Sequence, residues 1–195
     1  MADLITLTEY KAAEGISSTQ NDARLTTLIE SVSQLVKTYC NNTIIDNYSS
    51  AATELFNIMA GETVVQVSKA PIRTDAGDAP VVSERASPTE SYTTLTLDTD
   101  YYIDTLTDSV YRIAGAGLRS WPTGVGAVKV VYKAGYATTP TDLRLAVIDL
   151  VKYYHKDEHT TRRTLTGATI ENQGTGESKG FPDHIKRILD LYKTY

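Results

Sequence analysis

Cysteine is almost missing from this chain of 195 residues: Cys40 stands alone. No intrachain disulfide can form, so packing and hydrogen bonds have to hold the fold. Phenylalanine and tryptophan are scarce, with two and one copies against 13 tyrosines. No apolar run approaches the ~18 residues that a helix needs to cross a bilayer, which excludes a helical membrane span. The N-terminus, Met1-Ala2-Asp3-Leu4, has neither the basic n-region nor the apolar h-region of a secretory leader, so none is expected. Without a leader, the sequons Asn41-Asn42-Thr43 and Asn47-Tyr48-Ser49 read as chance matches in a polar turn. Positive charge is in deficit as well. Lys and Arg number 19 against 24 Asp and Glu, a net charge of −5. Residues 1–150 hold 11 and 18 of these, giving −7, and residues 151–195 hold 8 and 6, giving +2. An acidic body lacks the basic footprint of a sequence-reading nucleic-acid binder.

What remains is an ordinary globular composition, 41% hydrophobic and 22% charged, sized for one domain or one domain with an arm. Residues 8–14 predict a short helix, with Thr8 as N-cap and Gly15 as its stop. A second helix follows from a capping box at Thr19 and Asp22. Leu25, Leu28, Ile29, Val32, Leu35, Val36 and Tyr39 fall on one stripe at helical spacing. Asn41-Asn42 suit a left-handed helix end. From residue 53 to 132 the period becomes strand-like, with candidate strands at 53–58, 63–67, 93–97, 101–104, 110–113 and 128–132. Residues 73–91, with Pro80 and Pro88, predict a long loop, and 115–126 a glycine-rich loop around Trp121-Pro122. A third helix opens at Thr139-Pro140, with Asp142 in its first turn, and runs to about 158. Residues 160–180 lose periodicity and carry four glycines, the pattern of a linker. A last amphipathic helix over 182–193 places Ile185, Ile188, Leu189 and Tyr192 on one face. Its partner is its own domain, a neighbouring subunit or another protein.

Few residues here suit chemistry. His155 and His159 are spaced i, i+4, but the glutamate of a zinc-protease motif is misplaced in His155-Lys156-Asp157-Glu158-His159, and helix-end histidines also answer the macrodipole. The run 174–180 lacks the Gly-Lys-Ser/Thr ending of a phosphate loop, and the glycine pairs at 115–117 and 124–126 miss the dinucleotide pattern. Cys40 reads as a packed thiol. Asp98, Asp100, Asp104 and Asp108 do not match EF-hand spacing and read as solvated turn residues. Arg162-Arg163 is a small basic spot. No catalytic, cofactor-binding or metal residue is predicted, and no enzyme.

Three passages resemble the head–tail connector (adaptor) proteins of tailed bacteriophages. They are Leu4-Ile5-Thr6-Leu7-Thr8-Glu9-Tyr10-Lys11 with Asp22-Ala23-Arg24-Leu25-Thr26-Thr27-Leu28-Ile29; Tyr132-Lys133-Ala134-Gly135-Tyr136 with Pro140-Thr141-Asp142-Leu143-Arg144-Leu145-Ala146-Val147; and Phe181-Pro182 through Ile188-Leu189 to Tyr192-Lys193. Residues 53–127 match that family least. The resemblance implies a structural virion protein made in the host cytoplasm and built into the neck. It implies a homo-oligomeric ring, generally twelve-membered, that docks on the portal and extends the DNA channel. Such a ring offers a surface to the next neck or tail protein, while genomic DNA passes without sequence-specific binding and no membrane is involved. A head-completion stopper or tail-completion protein is the alternative, and a metal-binding enzyme a more distant one.

The expected fold is α+β: a small helical bundle with a β-rich insertion and a C-terminal extended arm ending in a short helix. The expected parts are N-terminal bundle helices (1–52), the β-rich insertion (53–138), a long bundle helix (139–159), and the linker with its arm helix (160–195). Arg162, Arg163, Phe181, Ile185, Ile188, Leu189 and Tyr192 are the candidate contacts to portal or a neighbouring subunit.

Overall fold

The computed structural model describes residues 2–75, 77–156 and 181–194. It is α+β, as the two periodicities predict, and divides into two compact units: residues 1–42 with 138–193, and residues 43–137. The turn at 43–51 therefore goes with the sheets.

The first unit is helical. Helix α1 (Leu7–Glu14) starts one residue earlier than the sequence predicts, because the capping box is Thr6 with Glu9. The Thr6 amide donates to Glu9 Oε2 at 2.7 Å, and the Glu9 amide donates to Thr6 Oγ1 at 3.2 Å. Thr8 has Lys11, a cation, three residues on, and so cannot form this pair. Gly15 ends the helix in the left-handed region, as expected. Helix α2 (Asp22–Cys40) begins without a side-chain cap. The predicted box at Thr19 does not form, since Lys11 Nζ holds the Asp22 carboxylate at 2.7 Å. Leu25, Ile29, Val32 and Val36 of the predicted stripe are buried, and Leu35 is exposed. Helix α3 (Thr141–His155) takes Pro140 at the cap position. Thr139, the predicted cap, instead donates its hydroxyl to the Leu4 carbonyl at 2.6 Å. Helix α4 (Asp183–Asp190) is shorter than predicted at both ends.

The second unit holds two antiparallel sheets. In the first, β1 (Ala52–Ile58), β8 (Gly124–Tyr132), β3 (Val81–Glu84) and β4 (Thr93–Thr94) lie in that order. In the second, β2 (Val64–Gln66), β6 (Ser109–Ala114) and β5 (Tyr101–Asp104) lie in order, with β7 (Gly117–Leu118) paired to β6. Strand β3 falls inside the predicted loop, because its apolar run is only Val81-Val82 behind Pro80. The predicted glycine-rich loop contains β7 and the first residues of β8. Val82, Val128, Val130, Tyr132, Val110, Tyr101 and Trp121 belong to one core. Each large side chain buried this way contributes about 1.5–3 kcal/mol.

Candidate functional site

Helix α4 is built to sit in a groove. With apolar residues only at 185, 188 and 189 and eight residues in all, it is too short to persist alone in water. Ile185 and Leu189 are 1% and 0% exposed, and the helix packs on α2 and α3 of the same unit. Polar contacts rim this apolar seat. Tyr39 donates its hydroxyl to Asp190 Oδ1 at 2.6 Å, and Tyr192 donates to Asp142 Oδ1 at 2.6 Å. The Phe181 ring meets Tyr39 edge-on, with centroids 5.0 Å apart, and Lys193 Nζ lies 5.1 Å from the centroid of Tyr39. The Cys40 thiol points at the Leu189 carbonyl at 3.5 Å. Burial beneath the helix pushes this thiol up to about 11, with Asp190 adding to the effect. The Tyr192 hydrogen bond holds the Asp142 carboxyl below its ordinary value.

This places the predicted contact residues. Ile185 and Leu189 are fully inside the chain's own helical unit, Ile188 and Tyr192 are half-buried against it, and Phe181 stacks on Tyr39. The alternative left open by the amphipathic pattern, folding back on its own domain, is the arrangement seen. Arg162 and Arg163 lie outside the described residues, as does His159. The pattern named the apolar face of α4 but missed its polar rim, because Tyr39–Asp190 and Tyr192–Asp142 join residues 151 and 50 positions apart.

Among the described residues no group of three or more His, Cys, Asp or Glu is placed to hold a metal. Asp100, Asp104 and Asp108, predicted to be solvated, are spent on the protein's own donors. Asp104 accepts from the Leu106 amide at 3.0 Å and the Thr107 hydroxyl at 2.7 Å. Asp100 accepts from the Thr96 amide at 3.0 Å, and Asp108 from the Ile72 amide at 2.7 Å. Hydrogen bonds hold Asp100 and Asp104 below their ordinary value, while burial raises Asp108. Two open depressions of about 300 and 380 Å³ lie on the helical unit. In the first, Ser33 Oγ accepts the Leu4 amide at 3.0 Å and Lys37 donates to the Ala2 carbonyl. Among the described residues the most buried charge is Arg112, 3% exposed, whose Nε and Nη2 meet Glu84 at 2.9 and 3.0 Å and so tie β6 to β3. Period-2 patterning gives no sign of that pair, since each partner sits in a strand of a different sheet.

The sheet unit also shows apolar surface. Thr53, Val131 and Val81 form one cross-strand row, and Leu55, Lys129 and Ser83 the next. Leu55 is 59% exposed and Val81 48%. Leu106, at the tip of the β5–β6 turn, is 93% exposed. A seated helix and exposed apolar side chains are features that suit assembly.

A family model described as head completion protein matches residues 3–195. The chain belongs to the head completion protein family. The connector resemblance carried by the Ala134-Gly135-Tyr136 passage and its companions agrees with this. The head completion protein of Escherichia phage T5 is 35% identical over 69 residues, which is 35% of this chain and 39% of that protein. The match thus spans well under two thirds of that relative. Among solved structures, a chain in the neck of an empty GTA particle computed with C6 symmetry superposes with a TM-score of 0.59 at 17% identity, covering 98% of this chain and 90% of that one. A chain in the neck of a native GTA particle computed with C12 symmetry gives 0.56 at 18% identity, covering 100% and 94%. At such identities these two likenesses concern the fold.

Proposed function

We propose that this head completion protein is a ring-forming structural subunit of the neck, an adaptor that docks on the portal, extends the DNA channel and offers a surface to the next neck or tail protein. The observation that carries the reading is the family match over residues 3–195. It is supported by the likeness of fold to chains from necks computed with C6 and C12 symmetry. The net charge of −5, multiplied around a ring, favours a channel wall that repels the DNA backbone instead of gripping it. On this reading residues 160–195, with Arg162, Arg163 and α4, form the arm that joins the subunit to its neighbours in the neck.

A second reading draws on the family's own description, head completion, which suits a stopper placed below an adaptor equally well. Mixing the protein with purified portal and imaging the product separates the two. An adaptor forms a closed ring in direct contact with portal. A stopper leaves portal bare until another ring is supplied.

A further inference from the structure

We infer that in the assembled ring α4 of one copy occupies the α2/α3 seat of the next copy, exchanging places with the helix that the free chain folds onto itself. The inference rests on the ring proposed above and adds the element that links its members.

Three observations carry it. The first is the length of the connection. Tyr192, two residues past the end of α4, hydrogen-bonds Asp142 at the start of α3, and the two helices pack on each other. Connecting consecutive packed helices ordinarily takes ~2–8 residues. Here positions 156 and 181 are separated by 24 residues, enough when extended to span on the order of 80 Å. That is several times the ~22 Å length of α3 itself. The second is the self-contained nature of the seat. The contacts described above that hold this segment are made to α2 or α3: Asp190 and Phe181 meet Tyr39, Tyr192 meets Asp142, and the Leu189 carbonyl meets Cys40, while Ile185 and Leu189 are buried where α4 packs on those helices. A second copy offers the same partners, so exchange can keep these contacts. The third is size. A helix with two fully buried side chains makes a small contact that opens far more readily than a core helix. Once neighbours are held in a ring, the local concentration of the second seat is high and every copy can both give and receive a helix.

The test uses the full chain with p-benzoylphenylalanine in place of Tyr192, an aromatic for an aromatic at the rim of the seat. Equal amounts of isotopically light and heavy protein are assembled on portal, irradiated and digested. Cross-linked peptides that join residue 192 to α2 or α3 are then weighed. Exchange predicts that about half of these pairs combine one light and one heavy peptide. If all pairs are light–light or heavy–heavy while images show the ring, exchange is overturned and the ring reading survives. If images of the unsubstituted protein on portal show no ring, both fall. A second variant removes residues 163–176, leaving ten residues between positions 156 and 181 and cutting the extended reach of the connection from ~80 to ~35 Å. It is expected to keep its circular dichroism and lose ring formation. Rings at unchanged yield from this variant overturn the exchange.

Discussion

Replacing Gly135 by alanine should cost the sheet unit far more than the same change at another glycine of similar backbone angle. Gly135 has φ +93°, and an added Cβ would run into the carbonyl oxygen of Ile44 and stand 3.0 Å from its carbon. Both are backbone atoms, so no rotamer relieves the collision. The same carbonyl accepts the Tyr136 amide at 2.8 Å, next to the Gly135 amide's bond to Pro71 at 2.8 Å and the Ala134 amide's bond to Asn47 at 3.0 Å. The left-handed angle costs an L-residue about 1–2 kcal/mol. Displacing the backbone at 44 adds overpacking of about 1–3 kcal/mol and a lost hydrogen bond of about 1 kcal/mol. The sum, ~3–6 kcal/mol, is a large part of a typical domain stability of about 5–15 kcal/mol. Gly61 provides the control. Its φ is +89°, but nothing lies within 4 Å of an added Cβ, so Gly61→Ala should show only the ~1–2 kcal/mol angle cost. Urea unfolding followed by the fluorescence of Trp121, the sole tryptophan and a core residue of this unit, compares the two. Equal midpoints for the two variants would refute the reasoning.

Glu84→Ala removes the two-pronged partner of the buried Arg112 guanidinium, which keeps only Asp100 Oδ1 at 3.4 Å as a charged partner, and should cost up to about 3 kcal/mol, whereas Glu84→Gln, which keeps an acceptor, should cost less; Trp121 fluorescence in urea ranks them. Acid should weaken the sheet unit. Asp78, Asp100 and Asp104 titrate below 3.8 in the folded chain. Their contribution is therefore full above 3.8 and is lost as pH falls through the lowered folded values. Asp108, raised by burial, works in the opposite direction, so the loss should steepen in Asp108→Asn; an unfolding midpoint that rises between pH 5 and pH 3 in the parent chain would contradict this. Cys40, raised from 9.0 to about 11, carries ~100-fold less thiolate than an ordinary thiol at the same pH. It should resist a disulfide reagent in the full chain and react readily once residues 181–195 are deleted, which a colorimetric thiol assay reads directly.

The fold was legible where one pattern dominates. The stripe from Leu25 to Tyr39, the left-handed stop at Gly15 and the apolar face of α3 each follow from spacing that only a helix satisfies. The helix starts were misread for local reasons. Thr8, Thr19 and Thr139 all look like caps, but Thr8 has Lys11 where the box needs an acid, Asp22 is held by Lys11, and Thr139 gives its hydroxyl to the Leu4 carbonyl. Strand β3 escaped because two valines are too short a run to show a period, although pairing with β8 buries Val82 completely. The Ala134-Gly135-Tyr136 passage stood out as a family feature before its reason was visible. The structure supplies it: residue 135 must be glycine because the Ile44 backbone lies where a Cβ would be. The seat of α4 was half legible. Its apolar face was evident from residues 185–192, but the identity of the groove depends on Tyr39, Cys40 and Asp142, distant in sequence.

The account turns on this chain being a ring subunit of the neck, and imaging the neck tests that most directly. Particles from the phage that encodes the protein, reconstructed with symmetry applied about the tail axis, should show the fold described above repeated in a closed ring around the DNA channel, in contact with portal. A neck in which this fold is present in low copy number away from the channel axis, or is missing, would contradict the account.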